Sequence, residues 1–85
     1  MNPSDKIRVR VFIKAYLSLK PKVSAKELAQ AINEVDIGLR TGVTANEIAK
    51  DLHSNIGKRN MLGMVDFVVE NNNNRGFVKK YYLKR

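Results

Sequence analysis

A chain of 85 residues, 44% hydrophobic, with 16 Lys plus Arg against 8 Asp plus Glu, reads as one globular domain (1–85) of formal net charge +8. So short a chain carries one core, and its apolar content excludes wholesale disorder. The absence of cysteine excludes disulfides and thiolate-held metals and fits a reducing, intracellular (cytoplasmic) setting; no apolar run has the length of a membrane span, and Met1-Asn-Pro-Ser-Asp lacks the apolar core of a signal peptide.

Residues 5–20 carry two periodicities. Ile7, Val9, Val11 and Ile13 alternate with cations as a strand would, whereas Val11, Phe12, Ala15, Tyr16 and Leu19 form a helical stripe, with Lys6, Arg10 and Lys14 stacked at i+4 spacing. Length favours a helix over about 4–20, capped by Asn2 or Ser4, with Pro3 tolerated in its first turn and Pro21 ending it. A second helix is expected over about 24–35. Ser24 and Glu27 have capping-box spacing, Val23 and Leu28 that of a hydrophobic staple, and Leu28, Ala29, Ile32 and Val35 line one face.

Asp36-Ile-Gly-Leu-Arg-Thr-Gly42 is a link in which Ile37 and Leu39 tuck inward and Gly38 is a plausible C-cap. A third helix is expected over about 44–61. Thr44 and Glu47 repeat the capping box, Val43 and Ile48 the staple, and Ile48, Ala49, Leu52 and Ile56 face inward, leaving Asn46, Lys50 and Ser54 on the wet side. Gly57 either sits inside this helix, at a cost near 1 kcal/mol relative to Ala, or ends it early. The remaining segment, about 64–84, reads as a β-hairpin. Val65, Phe67 and Val69 alternate with Asp66 and Glu70, Asn71–Gly76 is turn chemistry, and Phe77, Tyr81 and Leu83 share one face.

The charge is concentrated at the two ends. Residues 1–20 hold five basic residues and one acid, and residues 71–85 hold five (Arg75, Lys79, Lys80, Lys84 and Arg85) and no acid, while the middle is close to neutral. Such a field suits a polyanion, although a solubilising surface has the same signature. The order of helix, helix, helix and basic hairpin, with the segments Val23-Ser-Ala-Lys-Glu-Leu-Ala, Ala45-Asn-Glu-Ile-Ala-Lys-Asp-Leu, Leu62-Gly-Met-Val and Arg75-Gly-Phe-Val-Lys-Lys-Tyr-Tyr-Leu, resembles the winged helix-turn-helix family of DNA-binding regulators. The expected fold class is α+β, mainly α: a three-helix winged helix-turn-helix domain with a C-terminal β-hairpin wing.

The resemblance implies sequence-specific binding of double-stranded DNA. The third helix would contribute Asn46, Lys50, His53 and Ser54 to the major groove, and the wing would contribute Arg75, with Lys79 and Lys80 on its return strand. Arg10, Lys14, Lys58, Arg59 and Lys79 are candidate phosphate contacts, each with a merely solvated role as the alternative. Asn46 has the chemistry to pair with adenine and Lys50 to reach guanine, though Asn46 also suits a helix start and Arg75 a solvated loop. The seven-residue link 36–42 is longer than the family's tight turn, which leaves open a second register with a recognition helix starting near Lys58.

A homodimer on a pseudo-palindrome would use helix one or the wing. The alternatives to a DNA-binding regulator are an adaptor of the same fold that binds an acidic protein partner, and RNA binding, against which the lack of exposed aromatic clusters outside Tyr81–Tyr82 weighs. His53 is the only histidine and the five glycines are scattered, so neither a metal site, a phosphate-cradling loop, a cofactor site nor a catalytic set is expected.

Overall fold

Asn2 starts the first helix by accepting a hydrogen bond from the Asp5 backbone N–H at 2.8 Å, and Pro3 follows where its missing N–H costs nothing. In the computed structural model, which describes residues 2–35, 37–39, 42–60, 62–71 and 76–84, this helix is α1 (Pro3–Leu19). Lys20, before Pro21, is extended and ends it. The buried face is Val9, Ile13 and Leu17, with Phe12 and Tyr16 partly covered, while Val11 and Leu19 are exposed at 54% and 84%. The expected inward stripe is therefore rotated by part of a turn. Apolar residues lie on both sides of this helix, and its tertiary partners choose between them.

Two residues of strand, β1 (Val23–Ser24), precede α2 (Ala25–Glu34). Ser24 caps α2, its Oγ accepting from the Glu27 N–H at 3.1 Å, but the reciprocal half of the expected box is diverted. Ser24 sits in the ladder opposite Lys80, and the Glu27 carboxylate accepts instead from the Tyr16 hydroxyl at 3.0 Å. Val35 ends α2 in an extended conformation, with its side chain exposed rather than on the core face. Gly38 is thus not the helix cap; it lies in the link at φ +81, where its carbonyl accepts from Arg8. Ile37 and Leu39 do pack against the core. The far end of the link is clamped: Asn33 Nδ2 donates to the Val43 carbonyl at 2.8 Å and Asn33 Oδ1 accepts from the Val43 N–H at 2.9 Å.

The third helix, α3 (Ala45–Asn55), carries the complete capping box between Thr44 and Glu47. It stops six residues before the expected limit at 61. Ile56 leaves helical geometry, and Gly57 takes φ +79, a left-handed conformation that terminates helices and suits glycine. Beyond α3, the Gly57 N–H donates to the Gly63 carbonyl and the Gly63 N–H to the Asn60 carbonyl, so residues 57–60 and 62–63 form turns. A Cβ on Gly63 would lie 1.7 Å from the Lys58 carbonyl oxygen, so only glycine closes this loop as built. Among the described residues there is therefore no helix near Lys58 for the alternative register to use.

The hairpin strands β2 (Val65–Asn71) and β3 (Phe77–Leu83) pair antiparallel, with Val65 opposite Leu83 and Phe67 opposite Tyr81. With β1 on the other side of β3, they form a three-stranded antiparallel sheet in the order β1-β3-β2. The fold is thus α+β, with three helices and one small sheet among the described residues. Val23, Leu28, Ile32, Val43, Ile48, Leu52, Leu62, Val65 and Tyr81 are buried together with the inner face of α1. Burial reaches only halfway along the hairpin. On the same sheet face, Val69 and Phe77 continue past the helices and are 56% and 77% exposed.

Candidate nucleic-acid interface

Helical period divides α3 into two faces. Ile48, Asp51, Leu52 and Asn55, at i, i+3, i+4 and i+7, are buried, while Asn46, Lys50, His53 and Ser54 are exposed. Asp51 and Asn55 take places on the inner face that were expected for Ala49 and Ile56, which are half-buried. A carboxylate so placed requires a partner. Arg10 supplies it with a two-pronged pair, Nη2 to Oδ1 at 2.7 Å and Nε to Oδ2 at 2.9 Å, joining α1 to α3. The Asp51 hydrogen bond holds the Arg10 guanidinium above its ordinary pKa, against the opposing effect of burial. Asn55 donates to the Asp51 carbonyl at 2.6 Å and accepts from Asn60 at 2.7 Å, so the same network reaches the turns that follow α3.

Arg10 is therefore an anchor whose charge is matched by Asp51. Lys14, four residues on, is exposed and lines a separate hollow on α1 with Val11, Ala15 and Ser18. Between α1 and α3, a shallow hollow of about 330 Å³ is bordered by Lys6, Glu47, Lys50, Asp51 and Ser54. It adds Lys6, which was not among the expected residues, to the surroundings of Lys50. Lys58 and Arg59 are exposed on the loop that follows α3. Arg75 lies outside the described residues.

His53 is tied to the sheet. Its Nε2 and the Tyr81 hydroxyl form a hydrogen bond at 2.9 Å, and its ring stands edge-on to Phe67 at 4.8 Å and to Tyr81 at 5.6 Å between centroids. Lys79 extends the stack, its Nζ lying 5.3 Å from the Phe67 centroid. Desolvation, and then the positive charge of Lys79, lower the His53 pKa below 6.5. Lys80 points to the opposite sheet face, as its pairing opposite Val68 and Ser24 requires. The structure thus brings Lys79 to the α3 side and sends Lys80 away.

Sequence reasoning missed the packing role of His53 and the anchor Asp51. The signal for Asp51 was present: it falls on the Ile48–Leu52–Asn55 line. Of the pair Tyr81–Tyr82, Tyr81 is buried and Tyr82 half-buried, and Phe77 is the exposed ring. Among the described residues, no helix is long and apolar enough to cross a membrane. No protein-family model, curated protein or solved structure gives a significant match to this chain.

Proposed function

We propose that the protein is a sequence-specific double-stranded DNA-binding regulator of winged helix-turn-helix type, with α3 in the major groove and the hairpin beside it. The observation that carries this reading is the charge state of α3. Its two acids are both engaged, Glu47 in the cap and Asp51 with Arg10, so on the outward face of Asn46, Lys50, His53 and Ser54 the Lys50 charge has no acidic partner among the described residues. Lys6 shares a hollow with Lys50 and Ser54, and the exposed Lys58 and Arg59 follow α3 in the chain. The element order α1–β1–α2–α3–β2–β3, with β3 between β1 and β2, also supports the reading.

In this arrangement lysines and arginines hold phosphates by releasing counterions, and Asn46 and Lys50 present groups to base edges. The Arg10–Asp51 pair and the Asn33–Val43 clamp keep α3 at one angle to the rest of the domain. Gel retardation with random duplex DNA, followed by selection and sequencing, tests the proposal. An enriched motif is expected, with an affinity that falls steeply with salt, at a log–log slope near −5 for about six phosphate contacts. A flat salt response, or no binding at low salt, overturns it.

A further inference from the structure

Between the start of α2 and the outer half of β3 runs an open groove of about 480 Å³ whose lining includes Ala25, Lys26, Phe77, Val78, Lys79 and Lys80. Three features distinguish it. Of the two aromatic residues in the lining, Tyr81 is buried, whereas Phe77 is 77% exposed and lies beyond the part of the hairpin that the helices cover. No acid is among the described residues that line the groove, and the neighbouring carboxylates are occupied, Glu27 by Tyr16 and Glu70 by Lys22. The groove is also linked to α3 through side-chain contacts, since Lys79 of its lining lies over Phe67 and Phe67 packs on His53.

A flat apolar ring fringed by cations matches a ligand that offers a flat π-face and flanking negative charge. Nucleotides have both in fixed alternation, which is how strand-binding grooves combine stacking with backbone tracking. A base within an intact duplex keeps its faces against its neighbours, so the ring can be used only by a base that has left the stack.

We propose that this groove is a nucleobase-stacking subsite, in which Phe77 takes an unpaired base of a DNA strand adjoining the duplex held by α3 while Lys26 and Lys79 neutralise its flanking phosphates. The inference rests on the DNA-binding reading and narrows the preferred ligand to a junction of duplex and single strand. It is tested by fluorescence anisotropy on one duplex sequence, made blunt, with a four-nucleotide 5′ overhang, or with the same overhang at the 3′ end. A 2-aminopurine in the overhang reports stacking by quenching.

The wild-type protein is expected to bind one overhang about tenfold more tightly than the blunt duplex, the scale of one base–aromatic stack, and to quench the probe. Phe77→Ala should lose both effects while binding the blunt duplex as wild type does, and Phe77→Tyr should retain both. Equal affinity for all three DNAs, or an overhang preference that survives in Phe77→Ala, overturns the subsite and leaves the duplex-binding reading standing. Absence of binding to any of the three overturns both.

Discussion

The helices α2 and α3 begin on nearly the same residues, Val23-Ser-Ala-Lys-Glu-Leu-Ala and Val43-Thr-Ala-Asn-Glu-Ile-Ala, yet their carboxylates and outer faces are employed differently. Inward they are equivalent: Leu28 and Ile32 of one, and Ile48 and Leu52 of the other, are fully buried in the same core. Outward they diverge. Glu27 leaves its cap for Tyr16, and the exposed residues of α2 mix Lys26 and Gln30 with Glu34. Glu47 stays in its cap, Asp51 turns in to Arg10, and α3 shows Asn46, Lys50, His53 and Ser54. The comparison teaches that a capping motif specifies where a helix starts, whereas the surrounding side chains decide which charges it presents.

The inward half of the comparison predicts the largest effects. Ile32→Ala and Leu52→Ala should each cost about 2–5 kcal/mol, because each removes a fully buried side chain from one shared core. Thermal or urea unfolding followed by circular dichroism checks this, and a large loss for Leu52 alone would break the equivalence. The buried pair comes next and is asymmetric. Arg10→Met strands the Asp51 carboxylate, whose side chain is 6% exposed, and should cost roughly 2–4 kcal/mol. Asp51→Asn leaves a guanidinium that water reaches at 26% exposure, so it should cost less in the same unfolding series.

Protonation of His53 sets a pH dependence on the α3 side. Its folded pKa lies below its unfolded value, so the unfolded chain takes up the proton first. The stability that neutral His53 contributes is therefore present above pH 6.5 and is lost as pH falls from there through the lowered folded pKa. Midpoint temperatures measured across that window should fall with pH in the wild type and fall less in His53→Gln. The smallest contrast lies in the caps. Thr44→Ala breaks a reciprocal box and should cost about 1 kcal/mol, whereas Ser24→Ala removes one half-cap beside a strand that still pairs and should cost less.

Much of the fold was legible where a pattern repeats. The two helix starts and the paired strands follow from Ser24, Thr44 and the alternation around Phe67 and Tyr81. Two residues of β1 are too few to show a period, so Val23 and Ser24 read only as a staple and a cap. The inward face of α1 was ambiguous because Ile7 and Val11 are as apolar as Val9 and Ile13; Arg10 reaching for Asp51 and Tyr16 for Glu27 orient it, and such long-range pairs leave no local trace. Alternation gave the shared face of Phe77, Tyr81 and Leu83 but not how far the helices cover it: Tyr81 is buried and Phe77 is exposed. At the candidate interface, Asn46, Lys50 and Ser54 were legible from helical period, whereas the employment of Arg10 and His53 in packing appears only in three dimensions.

The central claim is that α3, and not its near-copy α2, faces DNA, and equivalent positions on the two helices test it most directly. Lys50 occupies in α3 the place that Gln30 occupies in α2, and both are exposed, so neither substitution should disturb folding. Duplex affinity measured by anisotropy across a salt series should drop about tenfold for Lys50→Ala, with a shallower salt slope, and should stay at the wild-type value for Gln30→Ala. Wild-type affinity in Lys50→Ala, with the loss appearing instead in Gln30→Ala or in a Lys58→Ala, Arg59→Ala pair, would contradict the account.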